Sequence, residues 1–409
     1  MTANSATGQS AATPSGTTAP PAERGWAGPV AVLALGSFAM GTDSFVLAGI
    51  LPQIAHGLHT SVGAAGQVIT TFALTYGLAA PFLAAFTGRL PRKPLMAAAL
   101  TLFVLANLAS AAAPSLGLLL AARVVAGLGA ALYTPNASAA AAALAGPARR
   151  GQALAVILGG LTVGTVFGVP VGTAIGQHVS WSAALVFVAA VGAAALLGLL
   201  VTLPALPIPP AVPLGQRFRV LGNPRVVAIV LYMMLTSGAS IMVYTYIANV
   251  LGTTAHATGT ALAVMLLLWG VGGMAGAFGS GWLADRWGAE RTLFLAVGLL
   301  VATLLLLTVA DDTVAAGAVM LLNGAAGWAV STPNNHRLIT LVPSLPTVVI
   351  SFNSSGIYLG QALGAGLGGL LLDGGTGVRG LCLIGAGVAV AAGVLNLAIG
   401  RPRTAGNPT

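Results

Sequence analysis

The sequence predicts an all-α membrane protein whose twelve transmembrane helices form two pseudo-symmetric six-helix bundles. The composition is the first observation behind this: 57% of the 409 residues are hydrophobic, 6% are charged, and the mean hydropathy is +0.94. A soluble domain carries about 25% charged residues, so this chain cannot cover a water-facing surface. It suits lipid instead, where a helix satisfies its own backbone hydrogen bonds.

The second observation is a set of twelve apolar runs, each near the length of about 20 residues that spans a bilayer. The predicted spans fall near 27–55, 63–87, 94–113, 115–143, 150–177, 181–203, 225–251, 257–284, 290–310, 313–341, 346–372 and 377–400. We therefore divide the chain into a disordered cytoplasmic tail at 1–24, a first bundle at 25–203, a cytoplasmic linker at 204–224, a second bundle at 225–401 and a cytoplasmic tail at 402–409.

The third observation is the distribution of basic residues. With the amino terminus inside, lysine and arginine gather in the inner loops, only Arg379 falls outside, and Arg123 lies within a span. Such an excess marks cytoplasmic loops. We expect a multi-pass protein of the plasma (inner) membrane with both termini cytoplasmic. Because the net charge of +9 is spread over short loops, nucleic acid is not an expected partner.

The residue inventory does not favour an enzyme or a metal protein. Cys382 is the single cysteine, and no histidine and cysteine group in the sequence has metal-ligand spacing. The sequence also contains no glycine-rich loop of the nucleotide-binding kind that ends in Lys-Ser/Thr. We expect neither a metal nor another cofactor, and ATP is not an expected driving force.

One acid lies in the middle of the first predicted span, in the segment 36–52. Inserting a carboxylate at that depth costs roughly 2.5–3.5 kcal/mol on insertion scales. This cost indicates that Asp43 has a functional or structural role in the membrane. Arg123, in the fourth predicted span, lies at a matching depth at about 1.5 Å per helical residue. We predict that Asp43 and Arg123 couple the protein to protons. The alternative is a permanent ion pair that only holds helices together.

A short basic inner loop follows the second predicted span of each half. The first copy contains Gly88, Arg89, Arg92 and Lys93, and the second contains Gly281, Asp285, Arg286, Gly288 and Arg291. Two six-helix halves joined by a polar linker are typical of transporters that rock around a central site. We interpret both loops as gating or conformational elements.

Glycines recur every four residues in the fifth and eleventh predicted spans. The fifth carries Gly160, Gly164, Gly168, Gly172 and Gly176, with Pro170 among them, and the eleventh carries Gly356, Gly360, Gly364 and Gly368. Such ridges let two helix backbones approach closely. We expect them to be sliding surfaces between the halves; static packing is the alternative. Gly164, Gly168, Pro170 and Gly172 join the gating residues.

Further residues within the spans are candidates for a central cavity that suits an uncharged or amphipathic organic ligand. The first half contributes Met40, Leu47, Gln67, Thr71, Tyr76, Gly127 and Thr134, and the second half contributes Tyr244, Asn249, Asn323, Trp328, Asn353 and Tyr358. Each polar residue could equally be a contact between helices.

Four motifs resemble the major facilitator superfamily, and within it the twelve-helix drug:proton antiporter branch of multidrug, chloramphenicol and sugar efflux permeases. The segment 281–291 is similar to the loop signature of the superfamily, whereas in the first copy Gly88 stands in place of its aspartate. The segment 123–131 resembles the fourth-helix motif, whose arginine is implicated in proton transfer. The segments 164–176 and 42–52 resemble the fifth-helix antiporter motif and a first-helix signature with an acid and a closing proline.

The resemblance implies a major facilitator fold and a proton-coupled efflux transporter of small drug- or metabolite-like organic molecules. It would work by alternating access as a monomer in the lipid bilayer, with the proton gradient as the driving force and no cofactor. Two other functions stay open. One is a proton-coupled importer of a sugar or nucleoside, and the other is a membrane sensor that binds a ligand without transporting it.

Overall fold

The computed structural model describes residues 25–206 and 214–400, and the regular structure within these ranges is helical. Eleven helices in the described ranges are long and apolar enough to cross a membrane. One of them, Leu116–His178, has 63 residues, which at about 1.5 Å each is some three times the bilayer core. It breaks at Gly146, whose φ of 69° and ψ of 177° are not helical. The break produces two spans, so the predicted fold of twelve helices is confirmed.

The spans are numbered 1 to 12 in chain order. In the first half, span 1 is Ala27–Gly49 continued by Leu51–Gly57, span 2 is Val62–Phe86, and span 3 is Arg92–Ala111. Spans 4 and 5 are the two parts of the helix Leu116–Val163 on either side of Gly146. Span 5 continues through the π-helix Gly164–Gly168 into the helix Val169–His178. Span 6 is Trp181–Thr202.

The second half repeats this order after the linker. A short helix, Leu214–Arg219, and a 3₁₀ turn, Val220–Gly222, come before it. Span 7 is Pro224–Tyr244 with Ile247–Thr254, span 8 is Gly259–Trp287, span 9 is Ala289–Leu306, span 10 is Thr313–Ala329 with Ser331–Leu341, span 11 is Pro346–Asp373, and span 12 is Val378–Gly400. The predicted tails and residues 207–213 of the predicted linker lie outside the described residues.

Polar side chains begin several spans, because the first backbone N–H groups of a helix have no partner within it. Ser61, Ser115 and Ser180 each accept a hydrogen bond from the backbone of spans 2, 4 and 6. Asp312 accepts two such bonds at the start of span 10. Large apolar side chains lie on the outer surface, such as Leu197 at 65% and Leu370 at 67% exposure, as expected for a surface that faces lipid.

The glycine ridge of span 5 packs against span 1 within the same half. Gly160 lies on the backbone of Ala34 and Gly164 on that of Phe38, and the next ridge positions follow span 1 in the same steps of four. Thr42 of span 1 adds a hydrogen bond to the carbonyl oxygen of Gly164 at 3.1 Å. The expectation of a sliding surface between the halves was wrong for this ridge.

The ridge of span 11 has the equivalent place in the second half. Gly356 and Gly360 lie against Val230 and Met234 of span 7, and Gly364 lies against Gly238. Spans 7 and 11 are therefore related as spans 1 and 5 are. Backbones can only approach this closely where no Cβ intervenes, which fixes each pair together. Static packing within a half, the alternative that the sequence left open, describes both ridges.

Contacts between the halves join span 2 to span 11 and span 5 to span 8. At the outer ends, Ser61 donates a hydrogen bond to Asp373 at 2.8 Å. One turn deeper, a Cβ added to Gly369 would come within 2.6 Å of the Gly63 carbonyl oxygen and of the Tyr246 hydroxyl. The halves are therefore closed against each other at the end of the bundle opposite the linker.

At the other end of the bundle the linker connects the halves. The Phe218 ring lies 5.6 Å from the Phe82 ring of span 2 and 5.7 Å from the Phe352 ring of span 11, measured between centroids. Arg217 beside it donates a hydrogen bond to the Ala84 carbonyl oxygen of span 2 at 3.4 Å. The described part of the linker thus contacts both halves where they leave the membrane.

Neighbouring glycines provide a test of the ridge. A Cβ on Gly160 would lie 2.9 Å from the carbonyl carbon of Ala34, whereas a Cβ on Gly159 would meet open space. We expect Gly160→Ala to lower the free energy of unfolding by about 1–3 kcal/mol through overpacking. Gly159→Ala, the matched control, should be neutral or stabilising, because alanine favours helix over glycine by up to about 1 kcal/mol. Thermal unfolding in detergent measures both; equal melting temperatures for the two variants would contradict the packing.

Candidate functional site

The two predicted coupling residues meet inside the first half. Asp43 lies in span 1 and Arg123 in span 4, and their side chains form two parallel hydrogen bonds. Arg123 Nη1 donates to Asp43 Oδ1 at 2.9 Å and Nη2 donates to Oδ2 at 2.8 Å. The side chains are 1% and 0% exposed for Arg123 and Asp43. This bidentate geometry is the strongest form of a carboxylate–guanidinium contact.

Two further groups hold the guanidinium in place. Nη1 of Arg123 also donates to Asn107 Oδ1 of span 3 at 3.4 Å. The guanidinium carbon lies 4.6 Å from the centroid of the Phe72 ring of span 2, within range of a cation–π interaction. Neither residue was predicted from the sequence. Asn107 could have been found, because it is the only amide side chain in span 3.

Burial makes each charge of the pair depend on the other. Removing one partner of a buried pair leaves an uncompensated charge and costs roughly 3–5 kcal/mol. Arginine keeps its proton under all ordinary conditions, whereas a carboxyl can be protonated. The group that can change its charge in this site is therefore Asp43.

An aromatic cluster lies on another side of span 1, at the surface between the halves. Phe45, two residues after Asp43, has ring-centroid distances of 5.7 Å to Tyr244, 5.4 Å to Trp269 and 6.0 Å to Trp328. Tyr244 and Trp269 stack at 4.0 Å. Of these residues, Tyr244 and Trp328 were predicted from the sequence as cavity residues. Phe45 and Trp269 were not, because aromatic residues within a span are usual packing residues.

A second aromatic contact crosses between the halves. Tyr76 of span 2 and Tyr358 of span 11 stack with their ring centroids 3.6 Å apart. The Tyr76 hydroxyl shares a hydrogen bond with Thr134 of span 4. Three cavity candidates of the sequence analysis are thus brought together. Met40 and Leu47 are buried in span 1, before and after Asp43.

Other cavity candidates make their contacts within one half. Asn323 accepts a hydrogen bond from Trp269 Nε1 at 3.3 Å and donates one to Thr303 at 3.1 Å. Asn353 accepts from Asn334 and donates to Asn335, each at 2.8 Å. These amides join neighbouring spans of the second half. Gly127 likewise lets span 4 approach the Phe72 carbonyl of span 2.

The remaining cavity candidates are polar residues of spans 2 and 7. Gln67 donates to the Gly63 carbonyl oxygen at 3.4 Å, and Thr71 donates to the Gln67 carbonyl oxygen at 2.7 Å. Asn249 Oδ1 and the Tyr244 hydroxyl are buried without a hydrogen-bond partner among the described residues. A role for these four residues in substrate binding stays a prediction.

The two inner loops differ in how they are held. In the first copy, Lys93 Nζ donates to the Leu200 carbonyl oxygen at the end of span 6, at 2.8 Å. In the second copy, Gly288 ends span 8 at a φ of +87°, a conformation that favours glycine. The other predicted gating residues of the loops are exposed or partly exposed, namely Gly88, Arg89, Arg92, Gly281, Asp285, Arg286 and Arg291. In span 5, Gly164, Gly168 and Gly172 pack on span 1, and Pro170 is partly exposed.

An ion pair near the second loop was not anticipated. Arg337 of span 10 donates to Asn396 of span 12 at 2.6 Å and lies 3.9 Å from Glu290 at the start of span 9. Glu290 is 56% exposed, so this pair contributes little by itself. It joins the start of span 9 to the last turns of spans 10 and 12.

Comparison with known proteins identifies the family. Residues 33–348 match the model of the Major Facilitator Superfamily. The chain belongs to this superfamily. An inner membrane transport protein of Escherichia coli (strain K12), YdhP, is 32% identical over 363 residues, which cover 88% of this chain and 93% of YdhP. A chloramphenicol resistance protein of Streptomyces lividans is 34% identical over 340 residues, covering 82% and 87% of the two chains.

A solved structure supports the fold. A mutant of the nucleoside transporter NupG superposes with a TM-score of 0.74 at 15% sequence identity, covering 91% of this chain and all of that one. At this identity the likeness concerns the fold alone. As a member of the superfamily, the chain is a multi-pass membrane transporter of a small molecule and not an enzyme.

The buried pair of Asp43 and Arg123 predicts that the stability of a variant lacking the arginine depends on pH. Arg123→Gln leaves the Asp43 carboxylate without its partner, so we expect a loss of about 3–5 kcal/mol in the free energy of unfolding at neutral pH. The loss should shrink as the pH falls, because an unpaired carboxyl escapes the penalty by taking up a proton. Unfolding in mixed detergent micelles across a pH series measures this.

The double variant Arg123→Gln/Asp43→Asn is the matched control. It has no charge left at the site, so its stability should exceed that of Arg123→Gln at neutral pH and should not change with pH at this site. A double variant that loses the sum of the two single losses would contradict a direct interaction.

Proposed function

We propose that this protein is a proton-coupled antiporter that exports small organic molecules, drug- or metabolite-like, by alternating access. The observation that carries the proposal is the buried bidentate pair of Asp43 and Arg123. Every other acidic residue of the sequence lies outside the middle of a span. An ionisable group within a membrane marks an ion or proton path by default.

The pair has the chemistry that proton coupling requires. Ionised Asp43 is stabilised by Arg123, and a proton on Asp43 removes that attraction without changing Arg123. The two protonation states therefore favour different positions of spans 1 and 4. If the proton and the substrate favour opposite arrangements of the halves, uptake of a proton from outside drives release of substrate to the outside.

The place of the pair supports a link to an organic substrate. Phe45 extends from the same turn of span 1 into the aromatic cluster with Tyr244, Trp269 and Trp328. Aromatic side chains with a few polar groups suit an amphipathic organic molecule. A substrate in this cluster would contact span 1, which also carries Asp43.

The relatives support direction and location. The similarity to a chloramphenicol resistance protein favours export of an antibiotic-like compound and makes chloramphenicol the first substrate to test. The similarity to an inner membrane transport protein favours the inner membrane. The basic inner loops favour cytoplasmic termini. We further propose a monomer driven by the proton gradient without another cofactor.

Everted membrane vesicles test the direction and the driving force together. We expect vesicles that contain the protein to accumulate labelled chloramphenicol when their interior is acidified, because their lumen corresponds to the cell exterior. Addition of a protonophore should abolish the accumulation. A proton-coupled importer would instead lose substrate under the same gradient, and a ligand sensor would bind without any flux. Several antibiotics and sugars should be screened, since the substrate of this chain can differ from that of the relative.

The variant Asp43→Asn tests the role of the acid. An amide resembles the protonated carboxyl and keeps an oxygen that can accept from Arg123, so we expect a folded protein whose gradient-driven accumulation falls to the level of protein-free vesicles. Asp311→Asn makes the same chemical change at an exposed loop position and should leave transport unchanged. Full gradient-driven transport by Asp43→Asn would overturn the assignment, and elution from a sizing column confirms folding.

A further inference from the structure

We propose that three rings of the second half, Tyr244, Trp269 and Trp328, form a binding site for an uncharged aromatic ring of the substrate, and that Phe45 of the first half occupies this site in the present structure. These three residues are called the ring site below. The inference rests on the proposed transport of organic molecules and names their chemical class. It makes Phe45 an internal competitor of the substrate and not a wall of its site.

The ring site is held in place by the second half alone. Tyr244 stacks on Trp269 with centroids 4.0 Å apart, and the Trp328 ring lies 6.4 Å from Trp269 at a steep angle of 76°. Trp269 Nε1 donates a hydrogen bond to Asn323 at 3.3 Å. A Cβ added to Gly273 of span 8 would lie 3.0 Å from the Trp328 ring, so spans 8 and 10 are closely packed here. A site that is preorganised in this way loses less conformational freedom when a ligand binds.

Phe45 reaches this site from the other half. Its ring centroid lies 5.4–6.0 Å from the centroids of all three ring-site residues. These distances fall within the range of roughly 4.5–7 Å that aromatic pairs prefer. The place between the three rings therefore accommodates one benzene ring, and the ring that fills it belongs to the half that moves away in alternating access.

Burial shows which side of the site can be reached. Tyr244 and Trp269 are 3% and 1% exposed, whereas Phe45 and Trp328 are partly exposed. Phe45 thus covers the stacked pair. The Tyr244 hydroxyl is buried without a hydrogen-bond partner among the described residues, which is unfavourable. A ligand that carries a hydrogen-bonding group beside its aromatic ring would give this hydroxyl a partner.

The surroundings of the site favour an uncharged ligand. The contacts of the ring site on the page are to other rings and to the neutral amide of Asn323. The acidic residues of the second half lie at the ends of spans or in loops. A cation would therefore lose its hydration here without gaining a carboxylate, whereas a neutral ring replaces Phe45 like for like.

The insertion of Phe45 belongs to the closed contact between the halves. One turn after Phe45, a Cβ added to Gly49 would lie 2.9 Å from the Leu266 side chain of span 8. Next to Trp269, a Cβ added to Gly270 would lie 2.7 Å from the Val166 Cα of span 5. Separation of the halves at these contacts withdraws Phe45 with span 1, so the ring site becomes available to substrate. Substrate and the closed contact then compete for the same rings.

Equilibrium binding to the purified full chain in detergent tests the role of Phe45 without a proton gradient. The probe is 4-nitrobenzyl alcohol, an uncharged ring with a hydroxyl, whose nitrophenyl group quenches tryptophan fluorescence on contact. We expect Phe45→Ala to bind the probe about three- to tenfold more tightly than the unaltered protein, the effect of removing one competing aromatic pair. If Phe45 were a wall of the site, its loss would weaken binding or leave it unchanged, and either result overturns the inference.

Two further variants control the result. Phe187→Ala removes a partly buried ring of span 6, which lies 3.8 Å from a Cβ added to Gly172 and outside the cluster, so it should leave the affinity unchanged. If Phe45→Ala does not purify as a folded protein, Phe45→Leu keeps most of the apolar volume and should change the affinity in the same direction by a smaller factor. Equal affinity in Phe45→Leu and the unaltered protein would then count against the competition.

Competing ligands test the chemical class. Benzyl alcohol should displace the probe at lower concentration than cyclohexylmethanol, which has a saturated ring of similar size, and than benzyltrimethylammonium, which carries a positive charge. Stronger displacement by either of the other two would overturn an uncharged aromatic ligand. Tyr244→Phe keeps the stack and removes only the hydroxyl, so it should weaken binding of the probe by about three- to tenfold, the effect of one hydrogen bond. Unchanged binding in Tyr244→Phe would overturn the assignment of that hydroxyl.

The outcomes separate the inference from the proposed function. Weaker or unchanged binding in Phe45→Ala, together with gradient-driven accumulation by the unaltered protein, overturns the role of Phe45 and leaves the antiporter standing. Tighter binding in Phe45→Ala without any gradient-driven flux supports the ring site and overturns the antiporter. Absence of quenching by the probe in both the unaltered protein and Phe45→Ala overturns the ring site itself.

Discussion

The buried contact between Asp43 and Arg123 is the constraint on which the first half depends. Each charge is tolerable in the membrane only because the other lies 2.8–2.9 Å away. Spans 1 and 4 are thereby fixed at one depth and one rotation. Asn107 and Phe72 add spans 3 and 2 to the same site, so four of the six helices of this half meet around one pair.

The glycine ridges extend this rigidity to the whole fold. In both halves the first and fifth helices are in backbone contact, which leaves little freedom for sliding between them. In the proposed alternating-access cycle, movement would then occur where the halves face each other, along spans 2 and 11 and spans 5 and 8. The contacts at this surface are of another kind: stacked rings such as Tyr76 with Tyr358, and a hydrogen bond from Ser61 to Asp373. Such contacts can separate without leaving a buried charge behind.

The sequence was sufficient for the fold and for the matching depth of Asp43 and Arg123, because both follow from one-dimensional quantities. Apolar length defines a span, and the depth of a residue follows from its distance to the end of the helix. The direct contact between the two side chains depends on how the helices are rotated, and it is seen only in the structure. The direction in which a helix face points is a tertiary property. The glycines repeated every four residues in span 5 therefore predicted a close helix contact but did not identify span 1 as the partner helix. For the same reason, Asn323 and Asn353 were predicted to be cavity residues, although in the structure their amides join neighbouring spans. Phe45 and Trp269 carried no signal that separates them from ordinary packing.

The two halves share their packing but not their chemistry, and this asymmetry constrains the mechanism. The second half repeats the ridge, the helix order and the inner loop, yet its acidic residues lie at the ends of spans or in loops. In the proposed mechanism, the charge change in the membrane therefore originates in the first half alone. A second charge facing Asp43 from the second half would have to be buried or exposed in every proposed cycle, at a cost of several kcal/mol. A second half without an acid in the middle of its spans avoids that cost.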